Sequence, residues 1–217
     1  YGIHIYRNSP TTTNITIKNC VLTDWDRALY FEKYSDYNTL INIIANSNGD
    51  GIYLYWSNYN TLTNITANYN SRNGLYLYLS NYNTLTNITA NYNNDDGLYL
   101  GNLDSNILTN ITANSNTNYG LYLSDIYYCI LTNITTNSNY YGIYLHNSNS
   151  NTLTNVIANS NVIGLYLEQF SDSNILTNII ANSNDIGLYL YRSSSNILTN
   201  ITANYNNNCG ISIENAL

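Results

Sequence analysis

Charge is scarce in this 217-residue chain: only 9% of residues are Asp, Glu, Lys or Arg, with six cations against thirteen carboxylates. The cations form no basic run, so no stripe exists to neutralise phosphates, and nucleic acid is not expected as a partner. No apolar stretch approaches the ~20 residues of a membrane span, and none is expected. Proline occurs once and methionine never. The three cysteines, Cys20, Cys129 and Cys209, stand far apart. In the repeating architecture derived below they fall in different coils, beyond the ~7 Å between Cα atoms that a disulfide allows. The chain opens at Tyr1 without a targeting segment, as expected of a processed form or a portion of a longer polypeptide.

What is abundant is Asn, with 45 copies, and Tyr, with 25, and both are placed by a repeat. The string G-[LI]-Y-L begins at Gly51, Gly74, Gly97, Gly120, Gly142, Gly164 and Gly187, with degenerate copies at Gly2, Ala28 and Gly210. A second string, L-T-N-[IV], follows in phase. The period of 22–23 residues is shorter than that of helical-pair repeats. Within Gly74-Leu75-Tyr76-Leu77-Tyr78, Leu and Tyr alternate with the two-residue period of a strand. Leu62 and Ile65 are both apolar but three apart, which predicts a bend at Thr63-Asn64. Asn- and Ser-rich segments before each Gly read as turns, and the Gly suits a corner with φ > 0. The expectation is therefore an all-β chain: a right-handed parallel β-helix of about nine coils, with three short strands per coil. Residues 1–217 form a single domain, in which 1–27 are an irregular first coil and 28–217 regular coils. Stacking at ~4.8 Å turns the Leu and Ile positions into inner columns stabilised by their neighbours.

The alternation of N-T-L-T-N-I-T-A-N-S-N with G-I-Y-L resembles the repeats of NosD-like proteins and of archaeal and bacterial cell-surface β-helices. The resemblance covers essentially the whole chain. It implies a parallel β-helix and, for some of those proteins, copper. Here no Met is present, His4 and His146 lie some six coils apart, and the cysteines are scattered. No soft-metal cluster is expected, and no cofactor.

Two columns are candidate functional features. If Leu75 and Leu77 point inward, Tyr76 points out, as do Tyr30, Tyr53, Tyr99, Tyr122, Tyr144, Tyr166 and Tyr189: an exposed aromatic strip for self-association or for sugar rings. The other is Asn14, Asn42, Asn64, Asn87, Asn110, Asn133, Asn155, Asn178 and Asn200. Six of these begin N-I-T, the glycosylation pattern, but Asn42, Asn155 and Asn178 keep the column without it. We therefore read a structural Asn ladder, with glycosylation possible at the N-I-T copies. For catalysis, Asp50 and Asp96 stand before motif glycines two coils apart with Arg72 between, an arrangement that neutralises itself. His146 and Glu168 are neighbours on consecutive coils, and a Trp25-containing cluster of charges crowds the first coil. No catalytic or metal residues are assigned, and the chain is not expected to be an enzyme.

The function expected from the near-uniform repeat is an extracellular structural solenoid of a surface layer, filament, appendage or adhesin, associating end to end as a homo-oligomer. The alternative is a carbohydrate-binding or polysaccharide-cleaving β-helix protein at the cell surface or outside the cell.

Overall fold

The computed structural model describes residues 1–6 and 14–215. Its nineteen strands, all parallel, form one sheet of ten and one of nine, and each strand pairs with the equivalent strand one coil away. The G-[LI]-Y-L strings supply the larger sheet, for example Asp50–Tyr55 and Leu75–Tyr78, and the L-T-N-[IV] strings the smaller, for example Thr61–Thr66. Strands of the smaller sheet bend where the sequence predicts it. Asn64 has φ 55°, so Leu62 and Ile65 both turn inward although three residues apart. Each coil thus has three straight segments, two of them arms of one bent strand.

The interior is columnar. Leu62, Leu75, Leu77, Leu85 and their equivalents in the middle coils are fully buried, each side chain contributing about 1.5–3 kcal/mol relative to exposure. The columns stay in register from coil to coil, as in Leu54 against Leu77 and Leu77 against Leu100.

The motif glycines are there for a different reason from the one expected. No glycine has positive φ; the left-handed corners are built from Asn, Ser, Tyr and others, such as Trp56, Tyr59, Asn64 and Tyr69 in one coil. Glycine is needed because the coils approach too closely for a side chain: a Cβ on Gly142 would lie 2.4 Å from the Gly164 carbonyl oxygen. The corner residues carry a strain on the order of 1 kcal/mol each, offset by hydrogen bonds between coils such as Tyr59 N–H to the Asn81 carbonyl, 3.1 Å.

Asn42 to Asn200 form the expected ladder, each amide donating to the Oδ1 of the preceding coil, as Asn64 does to Asn42 at 3.0 Å and Asn87 to Asn64 at 2.9 Å. Its first rung is Asn19, which Asn42 contacts at 3.0 Å. Asn14 is not in the ladder, because the longer first coil shifts the pairing so that Lys18 and Cys20 flank the rung opposite Asn42. The ladder is exposed throughout, so it braces a bend in solvent and not in the core. Two further Asn columns, missed in the sequence, are buried: one runs through Asn60 and Asn83, the other through Asn70, Asn93 and Asn116. In these the N–H groups of one coil donate to the Oδ1 of the next, as Asn93 N–H does to Asn116 at 2.9 Å. The residue that precedes [TI]-L and the second Asn of N-[YS]-N were their signal. Cys129 interrupts the first of these columns, its N–H donating to Asn151 Oδ1 at 2.9 Å, and all three cysteines are free.

Candidate functional site

Because Leu and Tyr alternate, the outer face of the ten-stranded sheet carries three parallel columns. The first is the residue before each motif Gly: Arg27, Asp50, Asn73, Asp96, Tyr119 and Tyr141. The second is the tyrosine column. The third, beyond the inner Leu, runs Tyr55, Tyr78, Gly101, Ser124, His146 and Glu168.

All eight predicted tyrosines, Tyr30 to Tyr189, meet in one continuous row, and each is half-buried instead of exposed. The row is stacked from Tyr53 to Tyr122 and edge-on or tilted between Tyr30 and Tyr53 and between Tyr144 and Tyr166. Their rings cover one another, with centroids 4.4 Å apart for Tyr53 and Tyr76, 4.5 Å for Tyr76 and Tyr99 and 5.0 Å for Tyr99 and Tyr122. The faces are spent on stacking, so the strip offers edges and phenol hydroxyls, not flat platforms. In the third column the small residues Gly101 and Ser124 stand between Tyr78 and His146, and both are buried, the space over Gly101 being taken by neighbouring rings. A Cβ on Gly101 would lie 2.9 Å from the Tyr99 ring and 3.0 Å from that of Tyr78.

Asp50 and Asp96 share the first column but not a partner. Asp50 Oδ2 accepts from Arg72 Nε at 3.0 Å and Nη2 at 2.8 Å, and Oδ1 from the Asn73 N–H at 3.2 Å. Arg72 reaches back to Asp26 at 2.8 Å, holding that carboxyl below the usual range. Arg72 stands in the coil between Asp50 and Asp96, its N–H on the Gly49 carbonyl and its carbonyl taking the Asp95 N–H. Its guanidinium turns back, so the pair it neutralises is Asp26 and Asp50. Arg27 stacks over Tyr53, 3.7 Å from the ring centroid, and Glu32 meets His4 at 3.2 Å. The first coils therefore spend their charges on one another.

Asp96 is 4% exposed, and among the described residues no cation pairs with it. Its Oδ1 accepts the Tyr119 N–H at 3.2 Å. Burial pushes the carboxyl up to about 8, the charge of Asp95 adding to the shift and the Tyr119 hydrogen bond opposing it. At neutral pH this acid keeps its proton. Tyr119 lies next to it, its phenol pushed up to about 12 by burial and then by Tyr141, Tyr122, Asp96 and Glu168.

Two coils further on, the Tyr144 hydroxyl donates to Oε2 of Glu168 in the coil after it, and that oxygen lies 3.7 Å from His146 Nδ1. Glu168 also holds the Tyr166 phenol up, after burial. Strand spacing puts Asp96 and Glu168 about 14 Å apart along the axis, beyond the ~9.5 Å over which two carboxyls share one glycosidic bond. They can meet different units of a long ligand but cannot flank one bond. A cleft of about 280 Å³ lined by Asn118, Tyr119, Tyr140 and Tyr141 opens beside this face. A larger one, about 480 Å³, lies on the other sheet along the exposed ladder, with Asn155, Asn178, Ile157 and Ile180. It has no titratable lining and carries no chemistry.

These features define a parallel β-solenoid with an aromatic outer face on which, among the described residues, Asp96 is a buried acid without a cation. The sequence matches the right-handed β-helix region over residues 1–127 and 103–216, and the chain belongs to that family. No curated protein matches it by sequence. Among solved structures it is similar to the catalytic domain of a GH87 α-1,3-glucanase in complex with tetrasaccharides (17% identity, 92% of this chain and 46% of that one, TM-score 0.69). It is also similar to a periplasmic alginate epimerase, AlgG (16%, 81% and 50%, TM-score 0.67), and to an alginate lyase from Paenibacillus sp. (13%, 96% and 88%, TM-score 0.68). The chain spans about half the length of the glucanase and of the epimerase. Such identities establish the fold alone. They nonetheless overturn the expectation of no enzyme: the uniform solenoid from which a passive rod was inferred is the scaffold of an epimerase, a lyase and a glucanase. Among the described residues no helix is long and apolar enough to cross a membrane.

Proposed function

We propose that the chain is a polysaccharide-processing β-helix protein acting outside the cytoplasm, and that it binds its glycan along the outer face of the ten-stranded sheet. The observation that carries this reading is Asp96, a buried carboxyl that retains its proton at neutral pH beside the Tyr119 phenol. A proton donor of this kind suits protonation of a departing glycosidic oxygen. The phenol row offers hydrogen-bonding edges to sugar hydroxyls, and Tyr144 and His146 two coils away, with Glu168 three coils away, form a second contact point. Fold neighbours that act on polysaccharides support the same reading.

The end-to-end rod has one observation in its favour, the uncovered inner column at Ile211 and Ile213 in the last described coil. Any further coil would cover it equally, so it does not select a filament. The test is incubation with a panel of polysaccharides, following binding and release of reducing ends. Saturable binding and cleavage lost in Asp96→Asn are expected; failure of every glycan to bind or react would overturn the proposal.

A further inference from the structure

We infer that the glycan taken by this face is uncharged, in contrast to the alginates named for two of the fold neighbours. The inference rests on the proposed glycan-binding face but concerns the charge of its ligand. Between Arg72 and Arg192 the chain contains no Lys or Arg, while Asp95, Asp96, Asp104, Asp125, Glu168, Asp172 and Asp185 fall in that interval. The candidate face lies within it. Its one basic side chain there is His146, already set against Glu168.

The nearest cations on the earlier coils are committed: Arg72 to Asp26 and Asp50, and Arg27 to the Tyr30 and Tyr53 rings and to Asp50 at 3.7 Å. A polyuronate laid along these coils would bring a carboxylate with each sugar towards Asp125 and Glu168. The nearest later cation, Arg192, stands a coil beyond Glu168 against the Tyr191 ring. Like charges across an interface select against a partner. Apart from these carboxylates and His146, the polar groups the face presents are neutral: phenol hydroxyls and the Asn118 and Asn147 amides. The two amides are themselves tied to carboxylates, Asn118 to Asp95 and Asn147 to Asp125, each at 2.6 Å. Such groups match sugar hydroxyls, and the acidic surroundings that repel a polyanion cost an uncharged polymer nothing.

The experiment compares polymers that share a backbone and differ in charge. Polygalacturonate and alginate are each titrated against the purified protein beside their carboxyl-reduced forms, together with neutral glucans, at low salt and at ~0.5 M salt. The expected result is binding by uncharged polymers, with each polyuronate at least roughly tenfold weaker than its reduced form. Added salt should strengthen whatever polyuronate binding there is. Tyr140→Lys, an exposed position beside Tyr119, should narrow the gap by improving polyuronate binding. A polyuronate that binds more tightly than its reduced form, or whose binding weakens in salt, would overturn the inference while leaving the glycan-binding face standing. If no polymer of either charge binds, both proposals fall.

Discussion

Asp50 and Asp96 are the same residue type in the same outer column, each before a motif glycine, and both are almost wholly buried. Around Asp50 the coils are self-sufficient: Arg72 closes over it and over Asp26, and Arg27 covers the adjacent rings. Around Asp96 no cation arrives, Asp95 adds charge of the same sign, and the carboxyl answers by keeping its proton. One backbone thus produces a carboxylate closed over by an arginine and an acid that keeps its proton, and the difference lies in a side chain one coil further on. Asn118 stands where the Asp50 region has Arg72, 22 residues after the carboxylate in each case. A buried carboxyl that meets a cation is architecture; one that instead keeps its proton is a candidate for chemistry.

The contrast can be broken most sharply at the acid itself. Asp96→Asn should lower turnover on the responsive glycan by roughly 10²–10⁴, the usual contribution of a general acid, while Asp50→Asn leaves turnover unchanged; reducing-end assays on both variants decide this. The pH dependence of stability comes next. The folded pKa of Asp96 lies above its unfolded value of 3.8, so the folded state binds the additional proton. The associated stability is complete below pH 4 and is lost as pH rises to about 8, with a slope of up to ~1.4 kcal/mol per pH unit. Urea midpoints across that range should fall accordingly. In Asn118→Arg, which transplants the Arg72 arrangement, the slope should flatten and the Asp96 carboxyl carbon should titrate near the ordinary range by NMR.

Removing the partner from the other region has a smaller effect. Arg72→Met leaves Asp50 buried with Arg27 at 3.7 Å and its Asn73 hydrogen bonds. Because Arg72 is itself partly exposed, the loss should be about 2 kcal/mol, below that for a fully buried pair, measured by urea unfolding. The exposed Asn ladder passes both regions without a break and serves as the internal control. Asn64→Ala and Asn110→Ala should each cost about 0.5–1 kcal/mol, the net worth of a solvent-facing hydrogen bond. A large difference between them would mean that the two regions differ in more than charge.

The sheets, the inner columns, the bend at Asn64 and the tyrosine row were legible in the sequence, because period-two alternation and a fixed repeat specify which side chains share a column. The reason for the glycines was not. Turn chemistry points to positive φ, whereas the constraint is the carbonyl of the next coil, which no local pattern records. The shift from Asn14 to Asn19 was hidden by the longer first coil, whose N-I-T string imitates the motif out of register. Both carboxylates were visible as candidates, and His146 and Glu168 as neighbours, but the partner of Arg72 was misassigned. Spacing along the axis does not reveal whether a long side chain reaches back or forward. The depth of Asp96 was equally hidden, because it depends on the tyrosines of the next coils closing around it.

The coils are not equal in length, yet the columns never slip. The interval from Gly120 to Gly142 is one residue shorter than that from Gly97 to Gly120, and still Leu121 meets Ile143 and Leu131 meets Leu153. Phe170, in a coil whose first corner is one residue longer, is 64% exposed and disturbs neither sheet, with Leu167 on Leu190 and Leu176 on Leu198. The reading frame of the molecule is therefore kept by the straight segments, and insertions or deletions are discharged at the corners. A gene for such a chain can drift by single codons at its corners and lengthen by whole turns, changing the length of the solenoid while its cross-section stays the same.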